Sequence, residues 1–214
     1  LRSAQHAFIP GRRIDYAIHT VLSMEAAARA GEFGDTPLLE AFFDLRKAYD
    51  KAQSVALRAS LEAIKMPHTL CNLLQNMEEN ATRRVVTTGG LTAPFTIDAS
   101  VAQGDTASPT RFIILMDGLA RFLESRTTWH VVRGHPTQRP SEHLNVGTIF
   151  FCDDIYICSL DDDEFQQMIG AIVTFLKSVG ISVNPDKTVF RRIYPTAGQD
   201  TAGPTTPPPA PTVH

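Results

Sequence analysis

The tightest constraint on this chain is one stretch, Phe150-Phe151-Cys152-Asp153-Asp154-Ile155-Tyr156-Ile157, in which two adjacent carboxylates interrupt an otherwise apolar run. The apolar flanks predict two buried strands, over 146–151 and 155–159, with the acids at the turn between them. Successive strand residues point to opposite faces, but at a tight turn two neighbours converge on one point. Two anions held side by side out of water are costly unless a cation neutralises them. A hard divalent cation such as Mg2+ is the natural partner, because it prefers carboxylate oxygen and keeps water positions for phosphates. A bare Asp-Asp is otherwise a solvated polar turn. Asp161-Asp162-Asp163 reads that way, as the exposed first turn of a helix.

The 214 residues are 43% hydrophobic, enough to bury a core, so a wholly disordered chain is excluded. No apolar run approaches ~18 residues, which excludes a membrane-spanning helix. The net charge of -3 excludes a coat of basic residues but not nucleic-acid binding. Of the 20 cations 15 are Arg, the better fork for phosphate, and the pairs Arg12-Arg13, Arg83-Arg84 and Arg191-Arg192 read as solvated patches. Cys71, Cys152 and Cys158 lack metal-ligand spacing and read as reduced thiols of an intracellular protein, cytoplasmic or nuclear. The chain opens on Leu1 without a signal-peptide layout, which suggests a fragment. Six of its 14 prolines fall after Tyr194, in a stretch without Leu, Ile, Phe or Met. The expected organisation is one folded domain over 1–194 and a disordered Pro/Thr-rich tail over 195–214.

Helices are predicted over 14–30, 54–64, 69–80, 109–126 and 161–179. In the first, Ile18, Val21, Leu22 and Glu25 fall at helical spacing; in the second, Leu57, Leu61 and Ile64 share a face. Strands are predicted over 38–45, 181–183 and 188–193, a hairpin over 82–98 around Gly89-Gly90, and an irregular connection over 129–145. Strands and helices alternate without a repeating βα unit, which favours an α+β fold with a mainly antiparallel sheet.

Three further positions carry chemistry. Asp44 ends an apolar strand and, with Asp153 and Asp154, could complete a three-carboxylate cage needing about two divalent ions ~3.5–4 Å apart. Gln103-Gly104 precedes the Ser108-Pro109 helix start, where Gly104 permits close backbone approach to a ligand. Lys187 follows the Asn184-Pro185 turn, within a swing of a phosphate. Each alone is commonly a strand end, a helix cap or a turn lysine.

Taken in order, these segments resemble the palm of reverse transcriptases: Phe42-x-Asp44-x-x-Lys47-Ala48-Tyr49-Asp50, Gln103-Gly104-x-x-x-Ser108-Pro109, Phe151-Cys152-Asp153-Asp154 and Gly180-x-x-x-Asn184-Pro185-x-Lys187-Thr188. The opening Gln5-His6-Ala7-Phe8-Ile9-Pro10-Gly11-Arg12-Arg13 is similar to the segment preceding the palm in retrotransposons without long terminal repeats. The resemblance spans roughly 3–193. It implies an α+β polymerase palm with partial fingers and no thumb, acting as an RNA-directed DNA polymerase on an RNA template, a DNA primer and dNTPs, away from membranes. It implies that Asp44, Asp153 and Asp154 hold two Mg2+ ions, with Mn2+ as a substitute. Tyr49 would lie under the sugar and exclude ribose, Gln103 and Gly104 would lie against the nascent pair, and Lys187 would protonate the leaving pyrophosphate. Lys47 and Asp50 are expected to pair locally. Cys152, Asp105 and Ala107 depart from the commoner residues of the family without removing a ligand. A catalytically decayed remnant with residual nucleic-acid binding is the alternative reading, and a non-polymerase binding protein with a metal-stabilised fold is a third. An incomplete polymerase should show little processive synthesis.

Overall fold

The structure is a computed structural model and describes residues 4–79, 82–96, 107–127, 132–133, 144–145 and 147–196. Its centre is the strand β1 (Leu38–Phe43), whose sequence Leu-Leu-Glu-Ala-Phe-Phe is buried at five of six positions. A run this apolar needs cover on both faces. In chain order the other strands are β2 (Leu45–Arg46), β3 (Thr82–Arg83), β4 (Val86–Thr87), β5 (Gly90–Leu91), β6 (Phe95–Thr96), β7 (Val132–Arg133), β8 (Leu144–Asn145), β9 (Thr148–Phe151), β10 (Asp154–Ser159), β11 (Ser182–Val183) and β12 (Val189–Ile193). The helices are α1 (Ile14–Arg29), α2 (Ala48–Lys51), α3 (Ser54–Ala63), α4 (His68–Glu79), α5 (Ser108–Arg126) and α6 (Asp162–Ser178).

The main sheet has the order β12-β1-β10-β9, antiparallel throughout. The N-terminal segment lies along the free edge of β9. Gln5 forms a parallel bridge with Phe150, the His6 N–H donates to the Phe150 carbonyl (2.8 Å), and the Phe150 N–H donates to the Ala4 carbonyl (2.8 Å). These bonds satisfy an edge that would otherwise be open to another chain.

Alternation along β1 and β10 divides the side chains between two layers. Leu39, Ala41, Phe43, Ile155 and Ile157 pack on α5, α6 and α3 in one large core. α5 is buried almost all round, through Phe112, Ile113, Leu115, Met116, Leu119 and Leu123, as befits a helix between a sheet and other helices. α6 starts where Asp161 accepts from the Glu164 N–H (2.7 Å) while Ser159 Oγ donates to the Glu164 carboxylate (2.7 Å).

The opposite face carries Leu38, Tyr156, Cys158 and Ile193, covered by α1 through Ala17, Met24 and Ala28. Of the α1 residues at helical spacing, Glu25 is buried and Val21 packs against this layer. Ile18 and Leu22 point to solvent, and the buried stripe of α1 is Ala17, Met24, Glu25, Ala27 and Ala28. Helical spacing gives the period of a stripe but not its phase, and small alanines let the helix approach the sheet closely. Glu25 and Glu40 are both buried on this face. Arg191 Nη1 bonds Glu25 Oε1 at 2.7 Å and lies 3.7 Å from Glu40 Oε2, while the Tyr156 hydroxyl donates to Glu40 Oε1 at 2.8 Å. Arg191 is therefore a partly buried ion-pair partner rather than part of a solvated patch, and Arg192 pairs with Asp162.

The predicted helices and strands are present with small shifts of boundary. The 82–98 hairpin is seen as β3 against β6 and β4 against β5. Within 129–145, read as irregular, β7 pairs with β8. The four-residue α2 and the two-residue β2 were not predicted, being too short to show a period. The predicted tail lies outside the described residues apart from 195–196.

Two substitutions test this packing. Arg191→Met should leave Glu25 and Glu40 facing each other without their shared cation. A loss of about 2 kcal/mol is expected in urea unfolding, below the ~3–5 kcal/mol for breaking a fully buried pair because Arg191 is 38% exposed. Burial, opposed by the Tyr156 hydrogen bond, already raises the pKa of Glu40, with the Glu25 charge adding to the rise. The folded state thus holds a proton that the unfolded chain releases, so this destabilisation should be absent below the unfolded carboxyl pKa and grow as pH rises through the folded one. Gly180 has φ +84°, and a Cβ there would lie 2.8 Å from Gln53 Cγ. Gly180→Ala should therefore lower stability by about 1–2 kcal/mol in the same assay.

Candidate active site

The site begins with strand register. Phe42 pairs with Tyr156 and Phe43 with Ile155, so the next residues along the ladder are Asp44 and Asp154. Directly opposite residues share a face. Asp44 and Asp154 therefore continue the face of Phe42 and Tyr156, whose rings lie 5.0 Å apart. Burial raises the pKa of Asp154, and the negative charges of Asp153 and then Asp44 raise it further. Two of the carboxylates predicted from sequence thus act electrostatically on the third.

Asp44 is clamped from the side of β11. β11 pairs with β2, and the turn that follows brings Asn184 against the end of β1. The Asn184 N–H donates to the Asp44 carbonyl (2.8 Å), and its side-chain Nδ2 donates to Asp44 Oδ2 (2.8 Å). Lys187 Nζ lies 4.0 Å from Asp44 Oδ1. Arg46 reaches the same turn, with Nε 3.5 Å from Asn184 Oδ1 and Nη2 3.3 Å from Asp186 Oδ2.

Asp153 and Asp154 follow a strained corner. Cys152 has φ +60°, a left-handed conformation that costs a non-glycine residue about 1–2 kcal/mol. Gln5, buried at 1% exposure, braces it: Gln5 Oε1 accepts from the Cys152 N–H (3.3 Å) and from the Ala7 N–H (2.9 Å). On the other side Cys152 Sγ and the Tyr49 hydroxyl share a hydrogen bond of 2.7 Å. Tyr49 stacks on Phe112 with ring centroids 4.5 Å apart and planes 18° off parallel. Burial, with the neighbouring Cys152 and Asp153, pushes the Tyr49 pKa up. Burial also raises the Cys152 thiol to about 11, so both are neutral at physiological pH. A ring held by a stack and a hydrogen bond is a fixed wall.

The structure thus sets Lys187 beside Asp44, puts Asp153 and Asp44 within electrostatic reach of Asp154, and holds Tyr49 against Cys152, the residue before Asp153. Gln103 and Gly104 lie outside the described residues. Lys47 and Asp50 make no ion pair among the described residues, contrary to expectation. Lys47 sits at φ +46° as the residue before α2, with its side chain exposed. Sequence reasoning gave no role to Asn184, Gln5 or Phe112, although the first two stand within the segments that carry the resemblance. Among the described residues no three His, Cys, Asp or Glu side chains form a ready-made metal cluster. What fits a hard divalent cation is the donor chemistry: carboxylate oxygens, with burial first and the neighbouring charges of Asp153 and Asp44 second raising the proton affinity of Asp154.

Comparison with known proteins bears on this arrangement. The family model described as reverse transcriptase (RNA-dependent DNA polymerase) matches residues 3–204. The chain belongs to that family. A Pol polyprotein from the type-1 retrotransposable element R2 of Popillia japonica is 22% identical over 144 residues, covering 67% of this chain and 22% of that protein. The corresponding R2DM polyprotein of Drosophila melanogaster is 26% identical over 144 residues, covering 67% and 13%. The chain spans about a fifth or less of those polyproteins. In fold it is similar to apo telomerase from Candida tropicalis truncated from its C-terminal domain, with TM-score 0.65, 16% identity, and 94% of this chain and 37% of that one covered. Telomerase from the same organism in complex with a fragment of telomeric RNA gives TM-score 0.62 at 16% identity, covering 88% and 30%. The antiparallel sheet and its helices are a polymerase palm, as the sequence implied. No helix among the described residues is long and apolar enough to cross a membrane.

The brace on the corner of this reverse transcriptase domain is open to measurement. Gln5→Leu removes the acceptor shared by two buried N–H groups. Stability should fall by about 1–3 kcal/mol in denaturant unfolding. Cys152, now 7% exposed, should also react faster with a thiol reagent.

Proposed function

We propose that this domain is an RNA-directed DNA polymerase that adds dNTPs to a primer 3′-hydroxyl on an RNA template. The observation that carries the proposal is the β1–β10 register, which carries Asp44 from a distant part of the chain toward Asp153 and Asp154, near enough that the charges of Asp153 and Asp44 add to the effect of burial on Asp154. On this reading the three carboxylates hold Mg2+, two ions, with Mn2+ as a substitute. When bound, such ions supply Lewis acidity toward the attacking hydroxyl and the leaving pyrophosphate.

The chain's own residues do the rest. Asp153 and Asp154 are fixed by a corner that Gln5 and Tyr49 hold from two sides. Tyr49 places a rigid ring under the sugar, where a ribose 2′-hydroxyl would collide with it. Its stack on Phe112 opposes any movement that would relieve the collision. Lys187, 70% exposed and only 4.0 Å from Asp44, is held near the acids yet free to reach a phosphate, and it would donate a proton to the departing pyrophosphate. Gln103 and Gly104 would lie against the nascent base pair, an assignment supported by the family resemblance. RNA template and DNA primer are the proposed partners. Grip on a duplex is largely electrostatic, and a net charge of -3 predicts short, distributive extension.

Single-nucleotide addition to a DNA primer on an RNA template tests the reading, with Mg2+ or Mn2+ present. The chain should incorporate dNTPs, and EDTA should stop it. Asp44→Ala and Asp153→Ala should each lower the rate by at least about 100-fold, since each ligand supports several kcal/mol of transition-state stabilisation. Incorporation that survives Asp153→Ala would refute the assignment.

A further inference from the structure

The turn after β11 holds a side chain to which neither the resemblance nor the proposed mechanism gives a role. Asn184 lies 140 positions from Asp44 and touches it twice, through its backbone N–H to the Asp44 carbonyl (2.8 Å) and through Nδ2 to Asp44 Oδ2 (2.8 Å). Its own carbonyl closes the turn, accepting from the Thr188 N–H (3.0 Å) and the Thr188 hydroxyl (2.8 Å). The side-chain amide is therefore not needed to form the turn.

Its orientation is also determined. Arg46 Nε stands on the Oδ1 side at 3.5 Å, and Arg46 is in turn tied to Asp186. Rotating the amide by half a turn would set an N–H group against a guanidinium and an oxygen against a carboxylate. The sense observed, donor toward Asp44 and acceptor toward Arg46, is the one the charges allow. Oδ2 of Asp44 is thereby engaged by a neutral donor, while Oδ1 faces Lys187 at 4.0 Å.

We propose that Asn184 is the positioning residue of Asp44: its amide fixes the carboxylate in the orientation that receives a divalent cation, and Arg46 fixes the amide. The inference rests on the polymerase reading and adds to it a residue that touches neither substrate nor metal. A neutral donor suits this task, because it orients the carboxylate without cancelling its charge. Hydrogen-bonded partners of metal-ligating carboxylates typically contribute 10–100-fold in metal affinity or activity.

The test is Mn2+ titration of the purified chain by electron paramagnetic resonance, beside thermal melts. Asn184→Ala keeps the backbone N–H that tethers the end of β1, so its melt should stay cooperative while Mn2+ binds roughly tenfold more weakly. In primer extension the Mg2+ concentration for half-maximal rate should rise, with the KM for dNTP unchanged. Asp163→Ala, at an exposed acid in the first turn of α6, should bind Mn2+ as the parent chain does. Should Asn184→Ala melt without cooperativity, Asn184→Leu, of similar volume, carries the same comparison. If Asp153→Ala abolishes Mn2+ binding while the Asn184 variants bind like the parent, the inference is overturned and the metal assignment stands. If the parent chain binds no Mn2+, the metal reading fails and takes this inference with it.

Discussion

The antiparallel pairing of β1 with β10 is the constraint on which the rest depends. Asp44 lies before the helices α3 to α5, and Asp153 and Asp154 lie after them. Only the ladder brings these positions together, and it does so by register. A slip of one residue would turn Asp44 toward the helix layer, where Phe43 and Leu45 now belong, and would expose apolar side chains on the other face. The large core is therefore also a device for alignment. The apolar alternation of Leu39, Ala41 and Phe43 against Ile155 and Ile157 makes any other register expensive, and the acids follow it.

Gathering carboxylates on a tight corner is unfavourable in itself. The backbone at Cys152 is strained and the charges repel, so the corner holds only because neighbouring elements over-determine it. Gln5 comes from the N-terminal segment on the β9 edge, Tyr49 from α2, and Asn184 from the turn after β11. None of the three contributes a charge. Each fixes geometry and leaves the negative field intact, as the proposed cation site requires.

Much of this was legible in the sequence, for identifiable reasons. Long periodic segments such as 161–179 announce themselves, and Asp153-Asp154 stands out because carboxylates are foreign to an apolar hairpin. What was hidden falls into two kinds. The phase of α1 was hidden because Ile18 and Leu22 are as apolar as any core residue, and only the sheet decides which side faces inward. The roles of Gln5 and Asn184 were hidden because each acts across more than a hundred residues of chain, through contacts that no local pattern encodes. Lys47 and Asp50, expected to pair locally, make no ion pair among the described residues, and the backbone of Lys47 is left-handed.

One face of β1 sets the same electrostatic problem twice and answers it differently. Leu38, Glu40, Phe42 and Asp44 alternate apolar and acidic along that face. Glu40 lies opposite Arg191 of β12, and beyond the end of that ladder Lys187 Nζ stands 4.0 Å from Asp44 Oδ1. At Glu40, fully buried, the cation is an arginine pinned by a second carboxylate, and a tyrosine hydroxyl takes the other oxygen. At Asp44, nearer the rim, the cation is an exposed lysine at 4.0 Å, and an amide takes the other oxygen. The first arrangement is closed and structural, because an unpaired charge at that depth would cost several kcal/mol. The second holds a carboxylate in place while its cation stays free to leave. The aromatic pair Phe42–Tyr156 lies between the two acids, so one strand can carry a permanent ion pair and an exchangeable one on the same face.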